Sequence, residues 1–181
     1  MRHDDKTRTI HTRAHYLRLR RKFKPAEVRL IFVAESPPAS GKYFYDITGT
    51  VTEPLFAAIM RDVLGQTPRT KTDGLRAFQD AGYTLVDATY TPVNRGLTNR
   101  ERDNRILEDY PSLKQDLAKL TQRKPIPILL VKANVCRLLE ERLVADGFNV
   151  INKGTIVPFP ASGQQGRFRT AATSILRRSI R

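Results

Sequence analysis

The sequence predicts an α/β protein, a three-layer α/β/α sandwich around a central, mainly parallel four-stranded sheet. Apolar runs alternate along the chain with helical patterns, without a repeat or a low-complexity linker, and this rhythm is typical of α/β domains. The first run, RLIFVA at residues 29–34, is continuously apolar, as expected for a strand covered on both faces. With 181 residues, 40% of them apolar, the chain can bury one core, so we predict a single domain over residues 1–181.

The elements of the first half follow from cap and turn signals. TEPLFAAIMRDVLG is predicted to be a helix, with Thr52 as its N-cap, Pro54 in its first turn and Gly65 at its end. A short helix over residues 73–81 then leads to the second strand, YTLVDA, at residues 83–88. Charged helices are expected on both sides of Pro111.

The second half continues the same alternation. IPILLV at residues 126–131 is predicted as the third strand, and KANVCRLLEERLVADG as a helix that ends near Gly147. FNVIN is expected to be a short strand, and GTIVPFP a last strand that runs into a loop. A basic helix over residues 167–181 closes the chain. Cys136 is the one cysteine, so it has no internal disulfide partner and is predicted to be a small core residue.

The positive charge is concentrated at the two ends of the chain. Residues 1–24 hold nine Lys or Arg against two Asp, and residues 153–181 hold six and no acid, within a net charge of +14. The middle is nearly neutral. We therefore predict a basic N-terminal arm (1–24) and a basic C-terminal helix (167–181), whose expected partner is a polyanion such as nucleic acid. Solubility alone is the other explanation for such charge runs.

Composition argues against several classes of protein. No stretch approaches the roughly 20 apolar residues of a membrane span, and the N-terminus lacks the apolar core of a signal peptide, so we expect a cytoplasmic protein without membrane contact. All histidines (His3, His11 and His15) lie near the N-terminus, so we expect neither a metal cluster nor a cofactor. ASGK after a strand is similar to a P-loop, but Ser36 replaces its first glycine and Tyr43 its magnesium ligand.

Three polar loops are predicted to converge at one edge of the sheet. Carboxyl ends of parallel strands share an edge, and open α/β sheets bind their ligands there. The first loop holds Glu35 and three aromatic residues, the second runs from Asp87 through Asn94 and Arg95, and the third is PFPASGQQGRF at residues 158–168. Any one of them could be an ordinary turn, but together they favour a binding or catalytic site.

Three motifs in these loops occur in an informative order. AESPP follows the first strand, LVDATYTPVNR forms the second strand and its loop, and VPFPAS carries two prolines near the third loop. In order and spacing they resemble the uracil-DNA glycosylase superfamily over roughly residues 28–176. The layout is most similar to the iron-sulfur branch, although the four cluster cysteines are absent. VPFPAS has the proline spacing of the family's His-Pro-Ser-Pro loop, with Val157 in place of the histidine.

The resemblance implies a DNA glycosylase that flips an altered base out of the helix and hydrolyses its N-glycosidic bond. Glu35 and Ser36 would be the catalytic positions, with Glu35 orienting water or offsetting the charge of an oxocarbenium-like sugar. Asp87 would read the polar edge of the base in place of the family's asparagine; when ionised it accepts hydrogen bonds but donates none. The aromatic residues that would hold the base are Tyr43, Phe44 and Tyr45, of which at least one is expected in the core.

The resemblance also implies DNA as the partner, double- or single-stranded, and a monomeric protein of DNA repair. The expected DNA contacts are Asn94, Arg95, Ser162, Gln164, Gln165, Arg167 and Arg169. Two alternatives stay open. A non-catalytic nucleic-acid-binding protein on the same fold would not need Glu35 for chemistry, and a small-molecule or nucleotide-processing enzyme would need a closed apolar pocket.

Overall fold

A computed structural model of the protein describes residues 11–179 and shows an α/β fold. Within that range the chain forms seven α-helices and one parallel sheet of three strands. The elements in chain order are α1 (Arg13–Arg21), β1 (Leu30–Ala34), α2 (Pro54–Ala58) continued by a π-helical turn (Ile59–Val63), α3 (Lys71–Asp80), β2 (Tyr83–Asp87), α4 (Asn99–Glu108), α5 (Tyr110–Thr121), β3 (Ile128–Leu130), α6 (Ala133–Ala145) and α7 (Gln165–Ser179).

The strand order is β2-β1-β3, and both pairs are parallel. The chain therefore adds β2 on one side of β1 and then crosses to add β3 on the other. In doubly wound sheets, ligands bind at the carboxyl ends of the two strands where the direction of winding reverses. Here that position lies beyond the ends of β1 and β3. The register sets Ala34 of β1 opposite Asp87 of β2, so the loops after these strands start side by side.

Helices cover both faces of the sheet, because alternate strand residues point to opposite sides. Phe32 belongs to an apolar cluster with side chains from α1, α2, α3 and α7. Val33 belongs to a second cluster, with side chains from α4, α5 and α6. Every residue of β1 is buried, as its continuous apolar run predicts. Cys136 is buried in the second cluster, as expected.

The predicted fourth strand is not formed among the described residues. FNVIN makes one parallel bridge, between Val150 and Ile128, and residues 154–160 have no strand structure. The side chain of Asn152 supplies the physical reason. Its amide oxygen accepts from the Leu130 N–H at 2.8 Å and its amide nitrogen donates to the Leu130 carbonyl at 3.1 Å. One side chain thus occupies the edge of β3 that another strand would pair with.

Several helix starts differ from the expectation. α3 begins at Lys71 and α7 at Gln165, each two residues before its predicted start. Glu53, not Thr52, is the N-cap of α2, since the Thr52 hydroxyl pairs with that of Thr50 instead. The break between α4 and α5 falls at Asp109, so Pro111 lies in the first turn of α5. Proline is favoured there because its missing N–H would have had no helical partner.

The basic ends are packed where the structure describes them. In the predicted arm, residues 13–21 form α1, whose Tyr16 is only 2% exposed. Arg20 donates two hydrogen bonds of 2.7 Å to Asp116 on α5. Residues 1–10 of the arm, and residues 180–181 of the closing helix, lie outside the described range. No described helix is long and apolar enough to cross a membrane.

Candidate functional site

A cavity of about 280 Å³ opens at the carboxyl edge of the sheet, beside the ends of β1 and β3. All three predicted loops contribute to its wall, the third through Phe159. Its lining includes six residues that the sequence singles out, namely Glu35, Ser36, Tyr43, Phe44, Asp87 and Asn94. The volume lies near the lower end of the roughly 300–1,000 Å³ typical of small-molecule pockets, which suits one flat heterocycle.

Glu35 is a buried acid of this cavity that two side chains bind directly. It follows β1 directly and is 6% exposed. Its carboxylate forms an ion pair with Lys132 and accepts a 2.6 Å hydrogen bond from the Asn134 amide. Both donors follow β3, so the network bridges the ends of β1 and β3. The Asn134 side-chain oxygen is buried and has no hydrogen-bond partner among the described residues.

Lys132 is a functional candidate that sequence reasoning missed. Its backbone has φ 88° and ψ 138°, a conformation that favours glycine. Such a conformation costs of the order of 1–3 kcal/mol and persists only where the surroundings fix it. Here the Lys132 N–H donates to the Val157 carbonyl at 2.8 Å, and its side chain reaches Glu35. The available signal was its place directly after a buried strand, the same signal that identified Glu35 and Asp87.

Asp87, at the end of β2, brings a further carboxyl to the cavity, which Glu35 and Glu53 also line. It is 3% exposed, and its Oδ2 atom meets no group of residues 11–179 in full hydrogen-bond geometry, although the Tyr43 hydroxyl lies close enough to favour the ionised carboxyl. Burial raises the pKa of Asp87 to about 7, against the opposing charge of Arg20. A buried polar atom without a partner is uncommon in native structures and calls for an explanation. At neutral pH, therefore, both the protonated and the ionised carboxyl are populated.

The three aromatic residues have different surroundings. Tyr43 lines the cavity, is 2% exposed, and its hydroxyl has no partner in the described chain. Burial and the charge of Asp87 raise the pKa of Tyr43 well above its usual value. Phe44 also lines the cavity, but packs against other rings in the core. Tyr45 lies within the core and bonds the backbone of Leu85, so it is the member of the three that is absent from the lining.

A buried ion pair fixes the backbone of this aromatic segment. Lys71 pairs with Glu53 and donates a 2.7 Å hydrogen bond to the Tyr43 carbonyl. Burial lowers the pKa of Lys71, although Glu53 opposes that shift. A Cβ atom at Gly49 would lie 2.1 Å from the Glu53 carboxylate, so only glycine leaves room for the pair. The cavity wall is thus anchored through α2 and α3.

Ser36 and Asn94 connect the first two loops. The Ser36 hydroxyl accepts from the Val93 N–H at 3.3 Å, and the Asn94 side-chain oxygen accepts from the Ala39 N–H at 2.8 Å. These contacts keep the loops in register beside the cavity. The catalytic role predicted for Ser36 and the DNA contact predicted for Asn94 stay predictions, and both side chains already have a structural partner.

The remaining residues predicted to contact DNA do not line the cavity. Arg95 is exposed in the second loop. Arg169 pairs with Asp62, which Arg61 also binds, so it connects α7 to the π-helical turn. The others lie before or within the first turn of α7 and are exposed or half-buried, namely Ser162, Gln164, Gln165 and Arg167. Their contact with DNA stays a prediction.

A second cavity, of about 320 Å³, meets the first at Asp87. The start of α1 lines it through His11 and Arg13, and α5 lines it through Asp116. Arg13 also lies over the ring of Tyr90, 5.4 Å from its centre. Asp87 therefore forms part of the wall of both cavities.

The comparisons with known proteins yield no relative for this chain. No protein-family model matches it, and no curated protein matches it.

Proposed function

We propose that the protein acts on DNA as a uracil-DNA glycosylase-like enzyme, which flips an altered base into the cavity beside β1 and β3 and excises it. On this proposal the fold is a three-layer sandwich of the family's type, with the bridge at Val150 as the remnant of its fourth strand. One observation carries the proposal: the carboxyl groups of Glu35 and Asp87 share one cavity of base-like size with the rings of Tyr43 and Phe44, and Glu53, Phe56 and Phe159 complete its acidic and aromatic lining. A non-catalytic nucleic-acid-binding protein remains the second candidate.

The lining suits the two ends of a nucleotide. The rings of Tyr43 and Phe44 can hold a flat base, and Asp87 can read its polar edge. Glu35 would face the sugar, where its negative charge offsets the positive charge of an oxocarbenium-like transition state. Lys132 places an ammonium group beside it, where a cation can stabilise the negative charge that develops on the departing base. Lys132 would thus supply the positive charge that is missing at Val157, which occupies the position of the family's histidine.

A specific observation favours the second candidate. The Glu35 carboxylate already accepts one hydrogen bond on each oxygen, from Lys132 and Asn134, so it has less acceptor capacity left to orient water. A binding protein does not need that capacity. The two candidates therefore differ in whether wild-type protein breaks a glycosidic bond.

The deciding experiment is incubation with single- and double-stranded oligonucleotides that contain uracil, hypoxanthine, xanthine or a mismatch. Alkaline cleavage of the abasic product then reports excision. We expect cleavage at one or more of these bases. Tight binding without any cleavage would favour the binding protein, and a failure to bind DNA would exclude the glycosylase.

The position of the basic side chains predicts which of them contact DNA. Lys42 and Arg13 line the two cavities at the carboxyl edge, and Arg167 lies in the first turn of α7, which follows the third loop and its cavity residue Phe159. Arg21, Lys24 and Lys119 surround a different cavity, together with residues that precede the strands, at the opposite edge. Only the first group is expected to neutralise phosphates around a flipped base.

Replacing Arg13, Lys42 and Arg167 by glutamine should therefore flatten the salt dependence of DNA binding. Each lost phosphate contact lowers the slope of log K against log salt by about 0.9 on duplex DNA. The matched control replaces Arg21, Lys24 and Lys119, removing the same charge from the opposite edge. Equal slopes for the two triple variants, measured by fluorescence anisotropy at several salt concentrations, would contradict this placement.

The aromatic wall predicts a separate effect of Phe44. Phe44→Leu keeps an apolar side chain in the core and removes the ring that could stack on a base; because that ring also packs against three others, we expect a stability cost of about 1–3 kcal/mol. Binding of single-stranded DNA should weaken by about 1–3 kcal/mol, the range for one stacked base. Denaturant unfolding and anisotropy on the same samples separate the two effects. Lost stability with unchanged affinity would assign Phe44 to the core alone.

A further inference from the structure

Two lysine–carboxylate pairs lie at the cavity, and they differ in how far the lysine can be reached. Lys71 is sealed against Glu53: its side chain is 1% exposed, and its ammonium also donates to the Tyr43 carbonyl at 2.7 Å. Lys132 pairs with Glu35 and lines the cavity, and its side chain is 28% exposed. Glu35 is the one partner of its ammonium among the described residues. Lys71 therefore holds the wall together, whereas the Lys132 amine can reach a molecule inside the cavity.

The backbone at Lys132 fixes where this amine lies. Its φ of 88° is unfavourable for a residue with a side chain, and glycine would avoid that cost. The Lys132 N–H donates to the Val157 carbonyl at 2.8 Å, and Asn134, two residues on, donates to Glu35 at 2.6 Å. Strain of this kind is concentrated at functional sites. A lysine at a position that favours glycine, with its side chain on a cavity carboxylate, indicates a use for the amine.

We propose that Lys132 is a nucleophile toward aldehydes, and that the protein cleaves DNA at abasic sites through a Schiff base on this amine. Lysine amines form Schiff bases with carbonyl substrates, and an adjacent base activates such a nucleophile. Loss of a base leaves the sugar in equilibrium with a ring-opened form, which has an aldehyde at C1′. The inference rests on the proposed function because it takes the sugar to lie beside Glu35, and it adds a second reaction to the same site.

The reaction balances with Glu35, Lys132 and water. Glu35 takes a proton from the ammonium, the amine adds to C1′, and the proton returns to the aldehyde oxygen, which leaves as water. The protonated imine that forms acidifies the hydrogens at C2′. Glu35 then removes a C2′ proton, a C2′–C3′ double bond forms and the C3′–O bond breaks, so the downstream strand departs with its 5′ phosphate. Water hydrolyses the imine and restores the lysine.

The test uses an oligonucleotide with one preformed abasic site, so that base excision is not required. Sodium borohydride reduces an imine to a stable amine and thereby links protein and DNA covalently. We expect a covalent complex with the aldehydic site and, without borohydride, a strand break that needs no alkali. A tetrahydrofuran site is the matched control ligand, because it has the shape of the sugar but no aldehyde, and it should give neither product. Mass spectrometry should locate the link at Lys132.

Lys132→Arg is the matched variant, because arginine keeps a positive charge beside Glu35 but stays protonated and forms no Schiff base. It should lower the yield of covalent complex by a factor of about 100 or more. Binding to the tetrahydrofuran site should be retained, which shows that the variant is folded.

Absence of a covalent complex with the wild-type protein would overturn the proposal. So would a link at Lys42, the other lysine of the described cavity lining, or a complex that Lys132→Arg forms as well as wild type. Cleavage at the preformed site without excision of any base would refute only the glycosylase. Excision without a covalent complex would refute only this inference.

Discussion

Replacing Glu35 by glutamine is expected to reduce base excision by a factor of about 100 or more, or about 2.7 kcal/mol in activation free energy. The carboxylate is 6% exposed beside the cavity, and it is the acid that the proposal places against the sugar. Glutamine has nearly the same shape and can still accept from Asn134, so the fold should be retained. What it removes is the negative charge that would stabilise the sugar cation.

DNA binding should survive this substitution and become slightly tighter. Glu35→Gln leaves Lys132 without its ionic partner, and an unpaired ammonium attracts phosphate. Lys132→Met is the informative companion, since it should slow excision and weaken binding together. Single-turnover rates and anisotropy measure the two quantities separately. An excision rate of Glu35→Gln within a few-fold of wild type would remove Glu35 from the chemistry.

Asp87→Asn is expected to change the pH dependence of stability more than any other carboxyl substitution near the cavity. Burial raises the pKa of Asp87 in the folded protein from 3.8 to about 7. Between these two pH values the folded state holds a proton that the unfolded state has lost. The wild-type carboxyl therefore stabilises the fold most at low pH, and this contribution disappears as the pH rises to about 7.

A shift of this size corresponds to roughly 4 kcal/mol, at 1.36 kcal/mol for each pKa unit. Asparagine does not titrate, so the stability of Asp87→Asn relative to wild type should rise by about this amount from pH 4 to pH 8. Urea unfolding at pH 4, 5.5 and 8 measures the difference. Asp80→Asn, an exposed substitution on α3, is the control for the loss of one acid. A constant difference between Asp87→Asn and wild type across this range would contradict the assignment.

The sequence predicts the part of the site that lies at strand ends. Glu35 and Asp87 follow buried apolar runs, and parallel strands bring such residues to one edge. Lys132 satisfies the same rule but begins a segment with a strong helical pattern. A positive φ is predicted from sequence mainly at glycine, so the residue type of Lys132 gives no indication of its backbone conformation. Sequence reasoning therefore assigns Lys132 only to the helix.

Other differences arise from contacts between distant side chains. The side-chain amide of Asn152 bonds the backbone N–H and carbonyl of Leu130, where a neighbouring strand would otherwise pair. The residue types in FNVIN do not reveal this contact, so the sequence predicts a strand there. Arg20 belongs to the basic N-terminal segment that the sequence predicts to be an arm. In the structure it donates a hydrogen bond to Asp116, which lies 96 positions later in the chain. Periodicity predicts which face of an element is apolar, but it does not identify which polar side chain finds a buried partner.

On this account the base enters the cavity beside β1 and β3. The most direct test is to fill the cavity with a bulky side chain introduced at one of its lining residues. Ser40 is exposed on that lining, whereas Ile47, in the same loop region, is exposed outside it. Single-turnover excision by Ser40→Trp should fall at least tenfold, while Ile47→Trp should act like wild type. Excision by Ser40→Trp at the wild-type rate would contradict the claim, because the base would then have to bind elsewhere.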